Sequence, residues 1–470
     1  MKGFLEREVK LDPGVAFTLP ELPGRPLESR VFTSTYYDTP PRSLARGGIT
    51  LRRRVENGLS RWQLKLPRED GRDELEAPGG PAGPPPELAA LLKAHLRHGK
   101  LAPVATLRTH RSCVRVADGE RSLADVTLDA VDILDNGHAA GNFTELEVEL
   151  VDGNDDDLDR LARKLRRAGA QRTDGQPKLM RVLDLAADEK PGPDASLGEQ
   201  FRFMLDRSLG ELEAQDPGVR LGEDPEAVHR YRVATRRARA LIRSTSSFLG
   251  DALVPLGAEL DWLAGLLGPV RDLDVLLVRL HEEVATLDVD QHGGESILAL
   301  LQEAREEARD TLLAGISSPR YTKLLAAFEA ALSALPPLEE DDALLSAAAT
   351  AFKKLRKHAN RLGDNPADEA LHALRKSGKR ARYAAELAGL HGDRRIRRFA
   401  TSVQELQDVI GEHQDTVVAE ERIRQVARRA ATATAGGRLI ERERTRRRAA
   451  REAYPAVLAE ALDRGRKAFP

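Results

Sequence analysis

The hydrophobic period of this chain changes once, near residue 190, and that change dictates two differently built parts. Up to about Leu185, apolar and polar residues alternate with period 2 over 4–11, 49–55, 61–66, 111–116 and 144–151, the pattern of half-buried strands. Two helical stretches interrupt them. One spans 86–98, behind a loop over 77–86 that is rich in Pro and Gly. The other spans 155–168 and is opened by the capping run Asn154-Asp155-Asp156. Residues 186–198 (AADEKPGPDASLG) read as a polar linker. Beyond it strand signals vanish, and Ala, Leu, Arg and Glu recur at helical spacing to the C-terminus. Breaks are expected near 217–222, Pro255, 293–294, 336–342 and 364–366. The expectation is a multidomain α+β chain: a β-rich domain over 1–185, a linker over 186–198 and an all-α domain over 199–470.

Composition narrows the function. Lys and Arg number 73 against 75 Asp and Glu, so any basic site must be local. Aromatic residues are 4% of the chain, which argues against a nucleic-acid binder that works by base stacking. The single cysteine, Cys113, cannot form an internal disulfide, and a reducing cytoplasm is the default. The N-terminus alternates charge with hydrophobe and lacks the apolar core of a signal peptide. No apolar run approaches the roughly 18 residues that a membrane span needs, so no membrane partner is expected.

In a strand, residues two apart share a face. Glu6, Glu8 and Lys10 therefore point one way. So do Arg52 and Arg54, Arg61 and Lys65, Arg72, Glu74 and Glu76, Arg111 and Arg115, Asp125 and Asp129, and Glu145, Glu147 and Glu149. For one strand a solvated outer face explains this. Across seven strands, with cations on some and carboxylates on others, a closed barrel with a charged lumen explains it better. Arg forks match phosphate oxygens, and hard carboxylate oxygens suit Mg²⁺ or Mn²⁺. Together they fit phosphoanhydride cleavage by charge neutralisation and a metal-activated water.

The ordered set Glu6-Arg7-Glu8-Val9-Lys10, Tyr36-Tyr37-Asp38-Thr39, Leu51-Arg52-Arg53-Arg54, Gln63-Leu64-Lys65, Arg111, Glu145-Leu146-Glu147 and Lys178 resembles the CYTH family of triphosphate tunnel metalloenzymes, over residues 1–185. The resemblance implies an eight-stranded antiparallel β tunnel acting on triphosphates with Mg²⁺ or Mn²⁺. It implies Glu6, Glu8 and Lys10 as catalytic, with metal held by Glu6, Glu8, Glu145 and Glu147. The triple Glu145, Glu147, Glu149 leaves that second pair open by one step of two residues. Lys10, Arg52, Arg54, Lys65, Arg111 and Lys178 are the implied triphosphate ligands.

The helical part carries a repeat. H-R-Y-R-V-A-T-R-R-A-R at His229 and H-A-L-R-K-S-G-K-R-A-R at His372 share the pattern H-x-x-R-x-x-x-[RK]-R-A-R. Leu267-Gly268 and Asp272 recur at the same offset as Ile410-Gly411 and Asp415. Two motifs with one offset indicate a duplicated helical unit. His229, Arg232, Arg236, Arg239 and Arg243 fall on one helix face, as do His372, Arg375, Lys379 and Arg382. No acidic residue lies between His229 and Arg243, so pairing within the helix does not offset the repulsion. A bound polyanion would. The alternative is pairing with acids elsewhere, such as Asp272, Asp274 or Asp415. The basic tail from Arg438 to Arg451, mixed with Glu441 and Glu443, reads as a solvated helix face.

These motifs, with Arg271-Asp272-x-Asp274, resemble the CHAD family over 196–470. The resemblance implies a duplicated helical bundle with pseudo-twofold symmetry whose basic surface binds inorganic polyphosphate. Its ligands would be His229, Arg232, Arg236, Arg239, His372, Arg375, Lys379 and Arg382. The leading expectation is a cytoplasmic inorganic triphosphatase with a polyphosphate-binding domain, associated with polyphosphate granules. The alternatives are a polyphosphate binder with little turnover, or a tunnel enzyme acting on thiamine triphosphate or ATP. Scarce aromatics and the lack of a base-reading motif argue against nucleic acid as a partner.

Overall fold

The computed structural model describes residues 2–470 except 15–16, 98, 184, 186–189, 193–194, 250–252, 336–340, 390–392 and 429. Part of the expected linker, most of the break expected over 336–342 and the last residue of the helix expected over 86–98 lie outside the described residues. The chain forms two compact units, Met1–Asp188 with Glu213–Asp224, and Glu189–Leu212 with Pro225–Pro470.

The first unit is built on ten antiparallel strands: β1 (Lys2–Glu6), β2 (Glu8–Asp12), β3 (Gly24–Asp38), β4 (Thr50–Glu56), β5 (Leu59–Pro67), β6 (Arg72–Pro78), β7 (Ala102–Asp118), β8 (Arg121–Asp135), β9 (His138–Leu150) and β10 (Gln171–Arg172). The sheet order is β1-β6-β5-β4-β3-β7-β8-β9-β2-β10. The count exceeds the expected eight by two. The single strand expected over 4–11 breaks at Arg7, so β1 ladders onto β6 while β2 ladders onto β9, and the two-residue β10 adds to the outer side of β2. No ladder joins β1 to β2, and the hydrogen-bonded sheet is formally open. Its edge strands are β1 and the two-residue β10; β2, which β10 flanks, is separated from β1 by Arg7 alone, and the Leu150 amide donates to the Arg7 carbonyl at 2.9 Å. The sheet therefore curls round until β1 and β2, near opposite ends of its order, are joined through Arg7.

This unit is inverted relative to an ordinary barrel. Its apolar faces point outward and are covered by helices. Leu51, Trp62, Leu64, Leu66 and Leu75 pack under α1 (Ser43–Arg46), α2 (Pro86–Leu91) and α3 (Lys93–Leu96), through Leu44, Leu88, Leu91 and Leu92. Leu11, Val116, Val126, Leu146 and Val148 pack under α4 (Asp155–Arg167), through Leu161 and Leu165. Asn154 caps α4 in a reciprocal capping box with Asp157. The Asp38 of the YYDT motif is buried and binds the amides of Thr39, Leu44 and Ala45, fixing α1 against the end of β3. With the apolar faces used outside, period-2 alternation sends the charged residues inward.

The second unit holds the helices α5 (Leu197–Leu221, whose last residues belong to the first unit), α6 (Pro225–Leu249), α7 (Val254–Val284), α8 (Gln291–Ser317), α9 (Pro319–Ser333), α10 (Asp341–Ala359), α11 (Asp368–Ala388), α12 (Arg394–Val426) and α13 (Ala430–Ala468). The offset that relates His229 to His372 also carries α5–α8 onto α10–α13, with α9 as the extra element. The repeat is thus four helices long, and the equivalent helices α6 and α11 pack against each other. The break expected near 293–294 falls just before it, over 285–290, and Gly293 and Gly294 lie in the first turn of α8. A Cβ at Gly294 would come within 2.8 Å of Val284, so this glycine serves close helix packing, not a turn. A break the sequence reading did not include falls at Ser318-Pro319.

Candidate active site

Alternation along eight of the strands brings most of the predicted lumen residues to one cavity of about 320 Å³, while Arg115, Asp125, Asp129 and Glu145 are not in its lining. Glu6, Glu8, Lys10, Arg52, Arg54, Lys65, Arg111, Glu147 and Lys178 all line it, with Tyr36, Arg72, Glu74 and Glu149. Lys65 reaches Glu74 at 2.8 Å and also pairs with Glu6. Lys10 lies 3.0 Å from Glu147 and 3.4 Å from Glu8. Arg111 forks onto Asp129 at 2.8 and 2.6 Å and reaches Glu147 at 2.9 Å. Lys178, just past Pro177, lies 2.7 Å from Glu147 and 3.1 Å from Asp129, and pairs with Glu145. Arg52 has no ion pair among the described residues. Its guanidinium donates to Gln63 at 2.7 Å and to the Tyr36 hydroxyl at 3.2 Å, which aligns it toward the cavity.

The three carboxylates of β9 therefore sit in different fields. Burial opposes ionisation of Glu147, but Lys178, Lys10 and Arg111 outweigh it and hold the carboxyl well below the usual range. Burial pushes Glu145 up to about 7, although Lys178 acts against the rise. Glu149 is also raised to about 7, by burial and then by Glu6, with Glu8 adding to it. Glu149 stands opposite Glu8 in the β2–β9 ladder, a like-charge cross-strand pair that is unfavourable by itself. Burial would lower the ammonium groups of Lys10 and Lys178, yet Glu147 and its acidic neighbours raise both.

The donor set fits a hard divalent cation at Glu6, Glu8 and Glu149. One oxygen of Glu6, Oε2, is buried without a hydrogen-bond partner, and Glu8 and Glu149 face each other across the ladder. Carboxylate oxygens are what Mg²⁺ and Mn²⁺ take. Among the described residues no three acidic, His or Cys side chains already stand in metal-holding geometry. Gly71 has no room for a Cβ against the Glu6 carbonyl, which sets that backbone close to β6.

In the helical unit the two stripes meet. Arg375 and Lys379 of α11 face Arg232 and Arg236 of α6: these arginines are among the charges that depress both groups. Burial and Arg375, Arg236, Arg232 and Arg382 push Lys379 down to about 7. Arg236, Arg375 and Lys379 have no ion pair among the described residues. The alternative of pairing with distant acids holds for part of the stripe. Arg239 and Arg243 share Asp261, Arg232 lies 3.5 Å from Asp272, and Arg382 lies 3.4 Å from Glu386. His229 and His372 flank the cluster half-buried, and burial lowers both. The tail does not match its expected solvated face. Arg446 pairs with Glu283 and Glu443, and Arg447 with Glu420, because α13 packs against α7, α8 and α12, and Arg451 reaches Asp368 at the start of α11.

Residues not singled out from the sequence as ligands but lining the cavity include Tyr36, Arg72, Glu74 and Glu56. Strand parity already sets Arg72 and Glu74 on the charged face with Glu76, and it extends to Glu56, which follows Arg52 and Arg54 at the same spacing. Tyr36 carries no charge signal of its own.

Fold and site together define a charged antiparallel tunnel joined to a duplicated, basic helical bundle. The model for the CYTH domain matches residues 5–179, and that for the CHAD domain matches residues 204–424. The chain is 34% identical over 433 residues to "Uncharacterized protein Rv2226" of Mycobacterium tuberculosis (strain ATCC 25618 / H37Rv), a span of 85% of this chain and 83% of that protein. "Uncharacterized protein MT2285" of Mycobacterium tuberculosis (strain CDC 1551 / Oshkosh) gives the same figures. The chain belongs to the CYTH–CHAD proteins. Triphosphate-directed chemistry is the general activity of the CYTH class, which includes triphosphatases and cyclases and implies divalent-metal dependence. Among solved structures, the CHAD domain from the plant Ricinus communis is 26% identical, covering 58% of this chain and 95% of that one, with a TM-score of 0.45. PptA from Streptomyces chartreusis is 24% identical, covering 55% and 98%, with a TM-score of 0.47. Among the described residues no helix is long and apolar enough to cross a membrane.

Proposed function

We propose that the tunnel hydrolyses inorganic triphosphate with Mg²⁺ or Mn²⁺, and that the helical domain binds inorganic polyphosphate. The observation that carries the first half is a single cavity in which cations able to take phosphate oxygens stand beside crowded carboxylates. Glu6, Glu8 and Glu149 would hold the metal; Glu145 and Glu147, the pair first implied by resemblance, are engaged by Lys178 and Lys10. When bound, a divalent cation neutralises phosphate charge and acidifies a water. The chain supplies the rest. Arg52, aligned by Gln63 and Tyr36, Arg54 and Arg111 offer planar forks to phosphate oxygens, and Lys10, Lys65 and Lys178 offer point charges. Transfer of a phosphoryl group needs little else from a protein than this positioning and charge stabilisation. Inorganic triphosphate is favoured over thiamine triphosphate or ATP because the cavity lining is mostly charged, with Tyr36 and Phe4 its aromatics. The carboxylates of Glu6, Glu8 and Glu149 beside an anion site favour turnover over binding alone.

For the helical domain, Arg236, Arg375 and Lys379 converge from two repeat copies and make no ion pair among the described residues, with Asp415 and Asp272 offsetting the field at Arg375 only in part, which suits a dense linear polyanion. Polyphosphate has that charge density and no bases, and a cytoplasmic protein that binds it would associate with its granules. The test is phosphate release from tripolyphosphate, long-chain polyphosphate, ATP and thiamine triphosphate, each with Mg²⁺ and Mn²⁺. Tripolyphosphate should be turned over fastest; a faster rate on an organic triphosphate would replace this reading.

A further inference from the structure

We propose that Glu56 limits the length of inorganic chain the tunnel accepts, by placing a fixed carboxylate where a phosphate beyond the third would have to lie. This deepens the reading of the tunnel as a triphosphate site and rests on it. Arg52, Arg54 and Glu56 follow one another on the inner face of β4, and all three line the cavity. The strand ends at Glu56. Asn57 and Gly58, with φ of 50° and 77°, then make the turn into β5, so Glu56 is the last inward residue before the rim.

The Glu56 carboxylate holds two guanidiniums. Arg30 donates to it through Nε at 2.6 Å and Nη2 at 2.8 Å, and Arg54 donates through Nη2 at 2.8 Å. The Arg30 hydrogen bond keeps Glu56 below the usual carboxylate range, so it is charged at neutral pH. A bidentate fork of this kind is how guanidinium takes phosphate. Glu56 thus occupies with its own charge the place of an additional phosphate. Arg54 is not free to turn away, since its guanidinium stacks 3.5 Å from the centre of the Phe32 ring. The adjacent strands repeat the device: Arg61, the cross-strand partner of Arg54, is held by Glu76 at 3.0 Å. Along β4 the lumen passes from Arg52, with no carboxylate, to Arg54, already paired, to an anion. A triphosphate gripped at Arg52 and deeper meets cations; a longer chain leaving by this mouth meets Glu56, whose carboxylate already fills the guanidinium forks of Arg30 and Arg54.

The test uses the full chain and compares tetrapolyphosphate with tripolyphosphate. The first readout is the ratio of kcat/KM values with Mg²⁺ or Mn²⁺. The second is the ratio of Kd values in EDTA by calorimetry, taken in an Arg236→Glu/Lys379→Glu background so that the helical surface contributes little. Glu56→Gln should shift either ratio at least fivefold toward the longer chain, and Glu56→Asp should stay within about twofold of wild type. Glu56→Thr provides a second neutral replacement, with folding of each variant checked by thermal unfolding. Ratios unmoved by both neutral variants, or equal losses on both substrates, would overturn the proposal. A shifted binding ratio in a protein that hydrolyses neither substrate would leave length selection standing and remove the hydrolytic reading.

Discussion

Polyphosphate binding by the helical domain should weaken as pH rises through neutrality, with Lys379 as the responsible group. Lys379 has no ion pair among the described residues. The charges facing it are all cationic: Arg375 and Arg382 on its own helix, Arg236 and Arg232 on α6. Burial and these neighbours bring its ammonium from an ordinary 10.5 to about 7. A polyanion favours the charged form, so binding raises that value. Below about pH 7 the group is already protonated and binding needs no proton. Above it, binding must take one up, and affinity falls by up to a decade per pH unit. With a bound-state value of roughly 9, affinity should drop about tenfold between pH 6 and pH 8. His229 and His372 are held below 6.5 by burial and respond at lower pH. The assay is calorimetry with long-chain polyphosphate at fixed ionic strength, in two buffers of different ionisation enthalpy. Wild type should take up close to one proton at pH 8. Lys379→Arg keeps the charge and should flatten the pH dependence. Equal slopes for the two proteins would refute the reasoning.

Three further outcomes are expected. Arg52→Ala should lower kcat/KM for tripolyphosphate about ten- to a hundredfold, the usual cost of a lost charged hydrogen bond, without lowering the thermal midpoint. Reversing Arg236 and Lys379 together to Glu should weaken polyphosphate binding at least tenfold and flatten its salt dependence, whereas Arg448→Glu, at an exposed position on α13, should change it less than twofold. Leu64→Ala, at a fully buried position under α1–α3, should destabilise the tunnel unit by about 2–5 kcal/mol in urea unfolding followed by circular dichroism.

Much of the tunnel is legible from parity alone. Once apolar residues such as Leu64, Leu146 and Val148 are assigned outward, Lys65, Glu145 and Glu147 can only point inward. The break at Arg7 is not legible, because alternation runs unbroken through it; only the pairing of its two sides with β6 and β9 reveals it. The two-glycine run at 293–294 sets the break a few residues late for a similar reason, since what Gly294 packs against, Val284 and Leu287, is set by tertiary contact. The repeat fixes which cations share a helix face. It does not say that Arg239 would meet Asp261, or that Arg446 and Arg447 would meet Glu283 and Glu420, because those partners lie on other helices. The choice among Glu145, Glu147 and Glu149 likewise depends on where Lys178 arrives, and that lysine comes from a segment beyond the last long strand.

The most direct test of a metal-assisted triphosphate site in the tunnel is phosphate release from tripolyphosphate across a Mg²⁺ and Mn²⁺ titration, for wild type and for Glu8→Gln. Wild type should show metal-dependent turnover abolished by EDTA. Glu8→Gln should fold normally and lose activity by about a hundredfold or more, because the carboxylates act through a metal that stabilises the transition state by several kcal/mol. EDTA-resistant turnover, or near-wild-type rates in Glu8→Gln, would contradict the account.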